Sequence, residues 1–210
     1  MALPTVAPER RLLHRRAISI EVHARPDGLF EADACIADTR PHDTRLPEGV
    51  RPAGEPIHDM LLRVVVDREM NVVDAGAETR SMPYPGRCDE HGDAYKRLIG
   101  LNLLRGFRHG LKTRLGGVAG CTHVTELAQN LPTAVVQALA GSVIDTRGDA
   151  EGAARPFQID GCHVLRADGP VVRVHYPRWY RPAADAGPAA LLPQDDAPAF
   201  PPSLPETSQP

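Results

Sequence analysis

The chain has 210 residues, a formal net charge of −3 and only 4% aromatic residues. That length is enough for one well-buried core with a tail. The charge and the scarcity of aromatic side chains argue against a nucleic-acid partner, which leaves a basic footprint or a base-stacking platform. No apolar run reaches membrane-spanning length, and Arg10, Arg11, Arg15 and Arg16 interrupt the first twenty residues, so no signal core is read there. A cytoplasmic protein without a membrane partner is the resulting expectation. Cys35, Cys88, Cys121 and Cys162 are widely spaced and lack CxxC pairs, which in a reducing compartment suits thiols or ligands better than disulfides.

Residues 1–8 carry two prolines and no periodicity and read as a flexible arm. Ile18, Ile20 and Val22 alternate with polar residues, the pattern of a half-buried strand. Arg25-Pro26-Asp27-Gly28 predicts a turn, because proline presets φ and glycine accepts positive φ. Leu29 to Ala37 returns as the partner strand, with Phe30, Ala32, Ala34 and Ile36 on one face and Cys35 on the other, beside Glu31 and Asp33. Residues 40–56 suggest an ordered loop or flap. Ile57 to Asp67 is the strongest strand; His58, Met60, Leu62, Val64 and Val66 share its core-facing row. Val72 to Thr79 returns from a turn at Asp67 to Asn71.

Ser81 to Gly92 reads as an irregular link. Asp93 to Leu115 reads as helix, broken into two near Gly100 and Gly106. The glycine-rich stretch Leu115 to Gly120 leads to a helix start with Thr122 as N-cap, and His123 to Asn130 follows. Pro132 suits the first turn of a further helix ending near Gly141. Phe157 to Arg166 and Val171 to Tyr176 suggest a last hairpin, closed over by Trp179 and Tyr180. The expected architecture is α+β: an antiparallel sheet of two or more hairpins with helices packed on one face, a single domain over 9–181, and a disordered Pro/Ala-rich tail over 182–210.

Several residues could carry chemistry. Cys121 beside a helix N-terminus gains from the positive dipole end, which favours a thiolate. His58 or His123 could act as its base, His123 the poorer because neighbours two apart on a helix do not face each other. Glu31, Asp33, Asp38, Asp59 and Asp67 lie on or near strands as candidate bases, and Asp59 stands out by adjoining His58. Cys88, Cys121, Cys162 and His123 form a candidate ligand set for zinc or iron, since sulfur with imidazole suits those ions. Lys96, Arg97, Arg105, Arg108, Lys112 and Arg114 lie in a stretch with no acid. With the amides around Gly117 and Gly120, Arg105 and Arg108 would favour a small anionic ligand.

Leu12-Leu13-His14-Arg15-Arg16, Asp27-Gly28-Leu29-Phe30-Glu31, Gly54-Glu55-Pro56-Ile57-His58-Asp59-Met60, Gly116-Gly117-Val118-Ala119-Gly120-Cys121-Thr122-His123 and Pro177-Arg178-Trp179-Tyr180 resemble a bacterial family, domain of unknown function 2889. The resemblance covers roughly residues 9–180. It departs at Phe30-Glu31-Ala32, where the family pattern has a tryptophan and a longer acidic-apolar run. It implies a bacterial cytoplasmic protein and brings no reaction or catalytic assignment.

Three functional readings follow. The leading one is a small-molecule enzyme of lyase or hydrolase type, or a binding protein, for an acidic and in one variant aromatic ligand, with His58, Asp59, Cys121 and His123 lining the pocket. The second is a metal or iron–sulfur carrier using Cys88, Cys121 and Cys162. The third is a non-catalytic interaction module.

Overall fold

The computed structural model describes residues 3–182, which divide between Ile144 and Asp145 into two compact units. The first is built on a four-stranded antiparallel sheet in the order β1 (Arg15–Ala24), β2 (Phe30–Thr39), β5 (Pro56–Val66), β6 (Val72–Ser81). The Pro26–Gly28 turn joins β1 to β2 as its residues demand: the Gly28 amide donates to the Arg25 carbonyl at 3.1 Å, with Gly28 at φ 83°. Within the 40–56 loop, β3 (Thr44–Leu46) and β4 (Gly49–Arg51) add a short two-stranded ribbon.

The inner face of the sheet carries the predicted rows. Phe30, Ala32, Ala34 and Ile36 of β2 and Met60, Leu62, Val64 and Val66 of β5 are buried. Ile20 and Val22 of β1 pack against the same core. Helices close this face. A run of 3₁₀ turns over Cys88–Leu98 buries Tyr95 and Leu98, α1 (Phe107–Leu115) buries Phe107, Leu111 and Leu115, and α2 (Thr122–Leu139) packs across β1, β2 and β5. The helical start is earlier than the sequence suggests, and Ile99 to Gly106 is the break, held to the sheet by an Asn71–Asn102 bridge. The described residues contain no helix long and apolar enough to cross a membrane.

Two local expectations are corrected here. Thr122 is not the N-cap: Cys121 takes that position with extended φ/ψ, and no side chain caps the amides of the first turn. Pro132 does not begin a new helix; it lies inside α2. An interior proline forfeits one hydrogen bond and costs about 3 kcal/mol. The uninterrupted stripe Val124, Leu127, Ala128, Leu131, Val135 and Leu139, all buried, offsets that cost by tertiary packing.

In the second unit the expected hairpin over Phe157 to Tyr176 is absent. A 3₁₀ turn over His163–Leu165, α3 (Pro170–His175) and a 3₁₀ turn over Pro177–Trp179 stand in its place. Pro170 opens α3, a position where its missing N–H costs nothing, and short apolar runs do not separate strand from helix by period. Asp160 organises the loop before it: its carboxylate accepts the Ala167 amide at 2.7 Å. Trp179 and Tyr180 pack over a small core of Ile159, Ala167 and Val172. The tail expectation, from residue 183 onward, lies outside the described residues.

Candidate functional site: a carboxylate shared by three imidazoles

At one end of the inner face the apolar rows give way to polar side chains. The register sets Arg16 of β1 opposite Asp38 of β2, and Asp38 opposite His58 of β5, so three adjacent strands each contribute a residue to one cross-strand row. A β-bulge falls at this point: Asp38 pairs with His58 but Thr39 pairs with Pro56, leaving Ile57 as the extra residue. Bulges re-aim side chains in this way beside functional sites.

Asp38 is the hub. It is 1% exposed, and its carboxylate is fully engaged. Arg16 forks onto it, Nε to Oδ1 at 2.8 Å and Nη2 to Oδ2 at 2.7 Å. His14 Nε2 lies 3.2 Å from Oδ1, His58 Nδ1 3.1 Å from Oδ2, and His123 Nε2 3.7 Å from Oδ2. Burial pushes the Asp38 carboxyl upward, yet the Arg16 hydrogen bonds and the surrounding charges outweigh it and hold the group below its ordinary value. Arg16 also donates to Glu126 of α2 at 2.6 Å, so one guanidinium ties β1, β2 and α2 together.

The His58 and His123 rings stack with centroids 3.9 Å apart. Burial lowers both imidazoles below their ordinary value, and in His123 the neighbouring His58 adds to the effect. The lowering favours the neutral rings at pH 7, and a neutral His58 facing the Asp38 carboxylate donates from Nδ1.

Cys121 meets the site from the other side. Its Sγ lies 3.9 Å from His123 Nδ1 and 3.9 Å from Met60 Sδ. Cys121 and His123 do face one another, against the sequence expectation, because Cys121 sits at the cap in extended conformation and the helical spacing rule does not reach it. Buried Tyr95 fixes the loop: its hydroxyl accepts the Cys121 amide at 3.0 Å and lies 2.8 Å from the Cys121 carbonyl and 2.9 Å from Thr125 Oγ1. Gly120 is required here, since a Cβ would meet the Leu115 carbonyl oxygen at 2.7 Å and the Tyr95 hydroxyl at 3.2 Å.

The structure thus brings His58, His123 and Cys121 together, but not Asp59. Strand alternation turns Asp59 to the outer face, where it pairs with Ala37 on the side of Cys35. Asp38, one strand-borne acid among several in the sequence, is the carboxylate that stands beside His58. Among the described residues, the group of His, Cys, Asp and Glu ligand atoms within 4.8 Å of one another is Asp38, His58 and His123. It contains no cysteine. Of the proposed ligand set only His123 joins it; Cys88 opens the 3₁₀ run and Cys162 is exposed in the second unit. Gly117 and the exposed Arg105 and Arg108 are not part of the cluster. Of the other cations in that stretch, Lys96 pairs with Asp93 and Arg114 donates to the carbonyls of Arg97 and Ile99.

A four-stranded antiparallel sheet with helices over one face, and a buried carboxylate shared by three imidazoles at its end, defines the class: an α+β protein with a polar centre built into the margin of its core. The chain belongs to the family described as Protein of unknown function (DUF2889), whose model matches residues 14–137 and so spans every residue of this cluster from His14 to Glu126. No curated protein and no solved structure matches the chain.

Proposed function

We propose that the protein is a small-molecule enzyme of the hydrolase or lyase type, with Asp38, His58 and His123 as its reacting centre and an acidic substrate. The observation that carries this reading is the buried Asp38 carboxylate at 3.1 Å from His58 Nδ1. An imidazole so oriented keeps its other nitrogen free to take a proton, and Asp38 stabilises the imidazolium that results. Neutral His58 is in the base form at pH 7. His123, stacked on it, is the second imidazole able to return a proton.

The substrate class rests on charge. His14 and Arg16 remain partly exposed beside the centre, and the first turn of α2 carries no acidic side chain. Its uncapped amides, with no acidic side chain in that turn, are donors suited to a substrate carboxylate. Cys121 is 3.9 Å from His123 Nδ1 and packs toward Met60, a position that serves the ring's orientation rather than attack on a substrate.

The test is a turnover screen of the purified protein against esters, lactones and hydroxy acids of small aliphatic and aromatic carboxylates. His58→Gln in a folded protein is expected to lower turnover by roughly 10²–10⁴-fold, the usual worth of a general acid or base. Turnover undiminished in His58→Gln would defeat the reading. So would the absence of turnover in every class combined with stable capture of a macromolecular partner, which is the outcome an interaction module predicts.

A further inference from the structure

We infer that Asp38, His58 and His123 bind one divalent first-row transition ion of the zinc or iron(II) class. The inference rests on the reading of this cluster as the reacting centre and supplies it with a cofactor.

Three ligand atoms from three separate elements converge: Asp38 Oδ2 of β2, His58 Nδ1 of β5 and His123 Nε2 of α2. Oδ2 lies 3.1 Å from the first nitrogen and 3.7 Å from the second, and all three fall within 4.8 Å of one another. Ligand atoms about 2.0–2.2 Å from a common ion are spaced on this scale. Two imidazoles and one carboxylate select a transition ion over magnesium or calcium, which take oxygen ligands, and the same set with open positions is a catalytic rather than a structural arrangement. The two rings keep 18% and 21% of their side-chain surface exposed, which leaves a side from which water or substrate reaches the ion.

The surroundings fit the same purpose. When Oδ2 ligates, Oδ1 keeps Arg16 Nε and His14 Nε2 as partners, and Arg16 Nη2 still holds the carboxylate plane. His123 Nδ1, turned away from the cluster, faces Cys121 Sγ. Ligating groups are ordinarily steadied by such outer partners. The charge also permits a cation: one guanidinium, Arg16, is set against two carboxylates, Asp38 and Glu126. Ligation through Nδ1 moves the single proton of the neutral His58 ring to Nε2, with no net proton released and no electron transferred; in the ion-bound form His58 is a ligand and not the base.

The experiment is elemental analysis of the full-length protein purified without chelator under anaerobic conditions, followed by titration of chelated protein with Zn²⁺, Fe²⁺ and Co²⁺. One equivalent of a transition ion is expected. Co²⁺ should add visible absorption bands, and Zn²⁺ should raise the melting temperature. His58→Ala and His123→Ala should each weaken Zn²⁺ binding by more than about 100-fold, the upper range for loss of an outer partner alone, while Cys88→Ser and Cys162→Ser bind as the native chain does. Circular dichroism identifies any variant that fails to fold; His123, half-buried in the first turn of α2, is the substitution least able to unfold the sheet. Stoichiometric binding retained in both histidine variants overturns the site, as does dependence on the cysteines. No ion bound by the native chain, with His58→Gln still abolishing turnover, overturns the metal alone and leaves the enzyme reading intact. Metal bound through both histidines without turnover of any substrate class supports the site while removing the enzyme reading.

Discussion

At the scale of single residues, Asp38 dominates the energetics of the site. A buried carboxylate costs several kcal/mol to desolvate and is tolerated because Arg16, His14 and His58 satisfy it. Asp38→Asn strands the Arg16 guanidinium against half a partner. Loss of one member of a buried pair costs 3–5 kcal/mol; with Arg16 34% exposed, about 2–4 kcal/mol is expected here, read as a lower urea midpoint. The pH dependence has a defined sign. Burial places the folded-state values of His58 and His123 below the ordinary 6.5, so the unfolded chain takes up these protons first as pH falls. Stability is full above pH 6.5 and declines as pH drops through the lowered values. Asp38 acts in the same sense further down: its contribution stands above the ordinary 3.8 and is lost as pH falls through its lowered folded value. Melting temperatures from pH 8 to 2 check this, and a His58→Gln/His123→Gln double variant should flatten the decline that starts below pH 6.5.

At the scale of elements, the stretch from Leu115 to Thr125 depends on close approach. Gly120→Ala drives a methyl into the Leu115 carbonyl oxygen and toward the Tyr95 hydroxyl, an overpacking expected to cost about 1–3 kcal/mol in thermal denaturation. Much of this arrangement was legible in the sequence. The alternation on β1, β2 and β5 marks their inner rows, and each row ends in a polar residue: Arg16 before Ile18, Asp38 after Ile36, His58 before Met60. Antiparallel pairing brings the start of β1, the end of β2 and the start of β5 to the same level, so extending the alternation by two residues points to Asp38. Adjacency in sequence points instead to Asp59, and in a strand adjacent residues lie on opposite faces. The approach of α2 was not legible, because the docking of a helix over a sheet follows from side-chain packing across distant segments. Pro132 hid its continuity by resembling a start.

At the scale of the whole molecule, the cluster and every element that supplies it belong to the unit ending at Ile144, whose apolar core runs from Phe30 to Leu139. A chain ending at Ile144 is therefore expected to fold by itself, with strand and helix signals in circular dichroism and a cooperative melt. A gradual, non-cooperative transition would show that the second unit is required. The short helical turns of that unit lay beyond periodic reading: Asp160, at φ 64°, directs its loop through a carboxylate bond to the Ala167 amide, a local choice that hydropathy does not record.

One strand has a consequence for the chemistry. β1 is bordered by β2 alone and is exposed along most of its length, and Arg16 is its second residue. Were the first residues of β1 to peel away, His58 would lose burial, the main cause of its lowered proton affinity, and the Arg16 charge that adds to it, so that affinity would rise. Loosening at the margin of the sheet would thereby act as a dial on the basicity of the centre. Ala17→Gly, which loosens this margin, should speed amide exchange at residues 16 and 17 and move the His58 titration upward together.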